Sequence, residues 1–125
     1  MKNAEIKLNY HGLLRQKMDE FVHLVYTLSR GFPKEEVYGL TSQIRRAAVS
    51  VPLNYIEGYA RDLSGKNLVY RNFLEISFGS LKEAEYILEF AYKEKFISRQ
   101  EYESSCPLSQ QIGAMLLGII KKIKA

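Results

Sequence analysis

From residue 74 to residue 91, small or apolar side chains recur in steps of 3, 4, 3, 4 and 3: Leu74, Ser77, Leu81, Ala84, Leu88 and Ala91. That spacing follows the 3.6-residue turn of an α-helix and lines all six up as one stripe. A half-buried strand needs alternation with period two, and no stretch of this chain alternates for long enough. The seam therefore selects helical structure, in a helix spanning 64–95 and capped by Ser64, about 45 Å long at 1.5 Å per residue.

Three further segments repeat the pattern. Leu14, Met18, Phe21, Val25 and Leu28 place a first helix at 12–30, which Gly31-Phe32-Pro33 ends, because proline disfavours helical geometry in the residue before it. A second helix covers 41–61. Ser98-Arg99-Gln100-Glu101 has the form of a capping box, and Ile112, Leu116, Ile119 and Ile123 extend the fourth helix it opens over 98–124. Pro107 lies inside that helix and is expected to kink or split it near 104–109. Four seams joined by short connections predict an all-α antiparallel up-down-up-down four-helix bundle, one domain over 1–125.

The second helix carries more apolar surface than one core requires. On a wheel, Ile44, Ala48, Val51 and Tyr55 form one face with Gly58 beside them. Val49, Leu53, Ile56 and Ala60 form another, well over 100° away. Arg46, Ser50, Asn54, Glu57 and Arg61 make a polar wedge between the two. Pro52 could bend the helix and turn the second stripe inward. Otherwise that stripe must meet another surface, and self-association is the economical answer. Leu68, Val69, Ile76, Phe78 and Ile87 lie away from the main seam of the third helix and add to the surplus.

Charge is segregated along the chain. Residues 40–72 hold five Lys/Arg against two acids, and residues 104–125 hold three lysines and no acid. Residues 73–103 hold four bases against seven acids, within a formal net charge of +4. Basic and acidic surfaces on one small body suit polyanion binding or head-to-tail association. Arg45, Arg46, Arg61, Lys66, Arg71, Lys121, Lys122 and Lys124 are the candidate phosphate contacts. Arginine offers a planar fork for carboxylate or phosphate. Arg45 and Arg46 thus have three alternatives: a phosphate, an ion pair with an acid of the third helix such as Glu83, Glu85 or Glu89, or a salt bridge across a subunit interface.

Other chemistry finds little support. No apolar run approaches the roughly 18 residues of a membrane span, and the N-terminal stretch lacks the apolar segment of a leader. A lone cysteine, Cys106, precludes an internal disulfide and fits a reducing cytoplasm. Glu20 and His23 form a single Glu-x-x-His, whereas a di-metal bundle needs two such motifs and two further glutamates. Gly79-Ser80-Leu81-Lys82 lacks the glycine spacing of a phosphate loop; Gly79 reads as a point of close helix approach. Tyr55, Tyr59, Tyr70 and Tyr92 could stack on bases, but at helical spacing they read as core or interface aromatics. No catalytic constellation, metal site or cofactor site is expected.

Several separated blocks carry a resemblance. They are Phe32-Pro33-Lys34-Glu35-Glu36-Val37-Tyr38-Gly39-Leu40, Ser42-Gln43-Ile44-Arg45-Arg46-Ala47-Ala48, and Asn54 with Glu57-Gly58-Tyr59-Ala60-Arg61. Phe73-Leu74-Glu75-Ile76 and Gly79-Ser80-Leu81-Lys82-Glu83 follow in the third helix. In order and spacing, from about Leu14 to Ile123, the chain resembles the four-helix-bundle proteins encoded in 23S rRNA intervening sequences. The resemblance implies a homopentameric ring. It also implies kinship with basic accessory proteins of diversity-generating retroelements, which bind nucleic acid and a reverse transcriptase. Tyr55-Ile56 departs from the smaller Ile-Ala pair common in that block, and Cys106-Pro107 interrupts a helix that usually runs on.

Two functions of different class follow. One is a non-catalytic, homo-oligomeric nucleic-acid-binding protein, contacting RNA or DNA through its basic patches. The other is a protein-interaction scaffold for an enzyme such as a reverse transcriptase, in which Glu83, Glu85, Glu89 and Glu94 matter as much as the arginines.

Overall fold

The computed structural model describes residues 2–123, with side chains from Tyr10 onward. Four α-helices account for almost all of it: α1 (Lys2–Ser29), α2 (Leu40–Leu63), α3 (Asn67–Lys93) and α4 (Arg99–Lys122). A single 3-10 turn, Lys34–Glu36, lies between α1 and α2. Each helix packs on its neighbours in sequence, α1 also packs on α4, and no diagonal pair touches among the described residues. With connections this short, that pattern is an antiparallel four-helix bundle with its helices in cyclic order.

The 3–4 seams supply the core. Leu14, Met18, Phe21 and Val25 from α1 meet Ile44, Ala48 and Val51 from α2, Leu74 and Leu81 from α3, and Ile112 and Leu116 from α4, all fully buried. Ile87 also lies in this core, so it does not belong to the surplus that the sequence assigned to α3. Phe78 is partly buried against it. The buried arc of α3 is wider than a single seam because α3 packs on both α2 and α4.

The tightest contact joins α2 to α3, and its cause is a glycine. A Cβ on Gly58 would stand 2.9 Å from the Cβ of Phe73 and 3.2 Å from the carbonyl oxygen of Tyr70. Only a bare α-carbon admits α3 at this crossing. Gly79, where the sequence pointed to close approach, has open space around it instead. Buried Ser77 of α3 donates a hydrogen bond to the carbonyl of Val51 at 2.7 Å, and the Ser50 and Ser80 hydroxyls pair at 2.8 Å. Part of the predicted polar wedge on α2 thus faces α3 rather than water.

Helix ends follow local chemistry. Ser98 caps α4 in a complete capping box: its hydroxyl accepts from Glu101 N–H, and Glu101 carboxylate accepts from Ser98 N–H. Ser64 caps no helix start; it follows the last turn of α2, and α3 begins three residues later with no side-chain cap. Gly65 (φ 80°) closes α2 in a Schellman turn, with Lys66 N–H bonded to the Arg61 carbonyl at 3.0 Å. Lys95 (φ 64°) closes α3 identically, with Phe96 N–H bonded to the Ala91 carbonyl at 2.8 Å. A lysine held at positive φ is strained where glycine is not. Lys95→Gly should therefore raise the unfolding free energy by about 0.5–1 kcal/mol, read from urea melts with an unchanged slope.

Neither internal proline breaks its helix. Pro52 is buried within a continuous α2, and α4 runs unbroken through Pro107, so the expected split near 104–109 is absent. A proline costs one backbone hydrogen bond, and the packed faces on either side hold the helix together across that gap. α1 begins at Lys2, ten residues before the expected start, because residues 2–11 carry no apolar seam from which to read a helix.

Candidate nucleic-acid interface and apolar faces

The antiparallel order sends the C-termini of α2 and α4 and the N-terminus of α3 to one end of the bundle. Arg71 confirms it: its guanidinium donates at 3.2 Å to the carbonyl of Ile123, just past the end of α4. Arg61, Lys66, Arg71, Lys121 and Lys122 therefore gather at this end. Arg45 and Arg46 stand near the opposite end, 16 and 15 residues before Arg61 and so about 22–24 Å away along α2. The eight candidates thus split into two groups; Lys124 lies outside the described residues.

At the basic end, two of the five are engaged. Arg61 pairs with Glu57 at 2.5 Å and the half-buried Arg71 with Glu75 at 3.2 Å, both along single helices. Surface pairs of this kind contribute about 0.3–0.5 kcal/mol, little enough for a phosphate to displace the carboxylate. Lys66, Lys121 and Lys122 are exposed and have no partner among the described residues. Arg61, Lys121 and Lys122 also lie in last helical turns, where positive charge complements the negative ends of the α2 and α4 dipoles.

The two adjacent arginines do different things. Arg45 faces α1: its Nε donates to the Ser29 hydroxyl at 2.8 Å, and its guanidinium lies 4.6 Å from the centre of the Tyr26 ring. It holds the C-terminal end of α1 and forms no ion pair with an acid of α3 among the described residues. A wheel reading places neighbours on the same helix but not the helix end that crosses it. Arg46 is exposed, without a partner among the described residues, on a crest between two grooves.

One groove, of about 680 Å³, lies between α1 and α2 and is lined by Tyr26, Val37, Tyr38, Val49, Leu53 and both arginines, with no carboxylate. The other, of about 580 Å³, lies between α2 and α3 and is lined by both Arg46 and Glu83, which form no ion pair with each other. Pro52 does not rotate the second stripe of α2 inward. Leu53 (59% exposed), Ile56 (39%) and Ala60 face solvent, and Val49 is half-buried. Tyr55 enters the core and hydrogen-bonds His11, so only Ile56 of the Tyr55-Ile56 pair adds surface bulk.

The four tyrosines considered for base stacking are engaged within the bundle. Tyr55 and Tyr70 are buried, Tyr59 packs 4.5 Å from the His11 ring, and Tyr92 stacks on Tyr102 at 5.1 Å. Burial pushes the Tyr55 and Tyr70 phenols well above their ordinary titration range, so both remain neutral. Glu20 and His23 are exposed on α1, and among the described residues no three His, Cys, Asp or Glu side chains converge on a possible metal position. Cys106 is half-buried and directs its thiol to the Tyr102 carbonyl. No helix of the described residues is long and apolar enough to cross a membrane.

A family profile described as 23S rRNA-intervening sequence protein matches residues 13–118 of this chain. The chain belongs to that family. A similar solved structure is a crystal structure of a protein of unknown function from the S23 ribosomal protein family of Bacteroides thetaiotaomicron. It is 26% identical, with a TM-score of 0.76, over 87% of this chain and 99% of that one. No curated protein matches the sequence. The match to the 23S rRNA-intervening sequence protein family takes in α2 and α3 whole, and with them the glycine crossing and the Arg45 contact.

Proposed function

We propose that this protein is a non-catalytic, cytoplasmic homo-oligomer, a ring of five as its family resemblance implies, that grips RNA or DNA through the basic end of its bundle. The observation that carries the reading is the convergence of Lys66, Lys121 and Lys122, exposed and without a partner among the described residues, beside Arg61 and Arg71. Oligomer symmetry multiplies that charge. With Tyr55, Tyr59, Tyr70 and Tyr92 packed within the bundle, binding through this end rests on phosphates, hence on counterion release, with little sequence preference.

Fluorescence anisotropy with labelled RNA and duplex DNA tests it. A complex should form at about 50 mM salt and weaken steeply by about 200 mM, each lysine–phosphate contact adding about 0.9 to the log–log slope. Lys66→Glu, Lys121→Glu and Lys122→Glu together should abolish it, with the fold intact because all three side chains are exposed. No complex at low salt, or binding indifferent to the triple change, rejects the reading.

The Arg46 crest and its two grooves favour a second reading, a scaffold for a protein partner. Partners recovered from lysate that persist after nuclease treatment would support it; partners that vanish would return the choice to nucleic acid.

A further inference from the structure

The proposed self-association leaves open which surfaces meet, and the bundle offers two that are unlike. The first is the groove between α1 and α2, walled by Val37, Tyr38 (96% exposed), Val49 and Leu53, with cationic Arg45 and Arg46 and no acid. The second is the outward stripe of α3. Ile76, Gly79, Glu83, Tyr86 and Phe90 follow one another in steps of 3, 4, 3 and 4, and Ile76 (51%) and Tyr86 (66%) are largely exposed.

Gly79 gives that stripe its meaning. A glycine inside a long helix costs about 1 kcal/mol against alanine, and here no neighbour in the chain needs its small size. A smooth depression between Ile76 and Glu83 lets another backbone come close. Among the described residues neither Glu83 nor Arg46 forms an ion pair. Groove against groove would set arginines together, and stripe against stripe would set glutamates together; groove against stripe joins apolar surface to apolar surface and opposite charges to each other.

We infer that each copy seats the outer stripe of α3 in the α1–α2 groove of the next copy, a head-to-tail contact with Arg46 beside the neighbour's Glu83. It rests on the self-association reading. Because the two surfaces differ, every docked pair leaves one groove and one stripe free, and the assembly ends only by closing on itself.

Light scattering on two blocked variants tests this. Leu53→Asp spoils the groove and Ile76→Asp spoils the stripe; both positions are more than half exposed, and circular dichroism checks that each variant folds. Each alone should be monomeric. Mixed, they should form a heterodimer of twice the monomer mass, through the one intact groove and the one intact stripe. Arg46→Glu and Glu83→Arg repeat the test without altering an apolar residue: each alone should weaken assembly, and the two changes combined in one chain should restore it. A wild-type monomer overturns self-association altogether. A wild-type assembly that is only a dimer, that survives either aspartate change, or whose two aspartate variants fail to pair on mixing overturns the head-to-tail contact and leaves self-association standing.

Discussion

Phe21→Ala should lower the unfolding free energy by about 3–5 kcal/mol. Phe21 has no exposed surface and lies in the middle of the α1 seam, among the largest fully buried side chains of the bundle. Truncation removes the apolar area of a ring and leaves a cavity that four rigid helices cannot collapse to fill. For a chain of this length each kcal/mol is worth about 4 °C in melting temperature, so the midpoint should fall by about 12–20 °C. Urea melts monitored by circular dichroism give the free energy directly. A loss under about 1 kcal/mol would mean that the four seams do not share one tightly packed interior.

Gly58→Ala should cost about 2 kcal/mol, against the usual direction for a helical glycine. On propensity alone, alanine gains about 1 kcal/mol over glycine within a helix. At Gly58 the added carbon meets the Phe73 Cβ at 2.9 Å and the Tyr70 backbone carbonyl at 3.2 Å. Neither neighbour is the free end of a flexible side chain, so α3 as a whole must move away from α2. That shift also stretches the Ser77–Val51 and Ser50–Ser80 hydrogen bonds. Overpacking of this kind costs about 1–3 kcal/mol, enough to reverse the propensity gain. Gly12→Ala is the control. Nothing lies within 4 Å of its added carbon, so it should stabilise by about 0.5–1 kcal/mol. If the two substitutions behave alike in the same melts, close approach does not govern the α2–α3 crossing.

Ser98 and Glu101 show what is local enough to read directly. A capping box needs only residues three apart, so the sequence displays both partners. Gly58 and Gly79 show the opposite. Both are glycines in long helices, and a wheel cannot say which one has a neighbour pressed against it. The sequence reading chose Gly79, and the packing chose Gly58. Arg45 shows the same limit, since its partners, Ser29 and Tyr26, belong to the end of another helix. At Pro107 the local rule was sound but outweighed, because one lost hydrogen bond is small beside two flanking turns of packed surface.

Periodicity by itself determined that this chain is helical and where its seams lie, because both depend on residues within two turns of one another; that the second stripe of α2 stays outside despite Pro52 was decided by packing. Tertiary structure alone decided which cations cluster. Arg61, Lys66 and Arg71 join Lys121 and Lys122 only because antiparallel helices return separate segments to the same end, whereas Arg45 is consumed in holding α1. Charge counted along a chain is one-dimensional; whether charges act together is set by distances that exist only once the helices have packed.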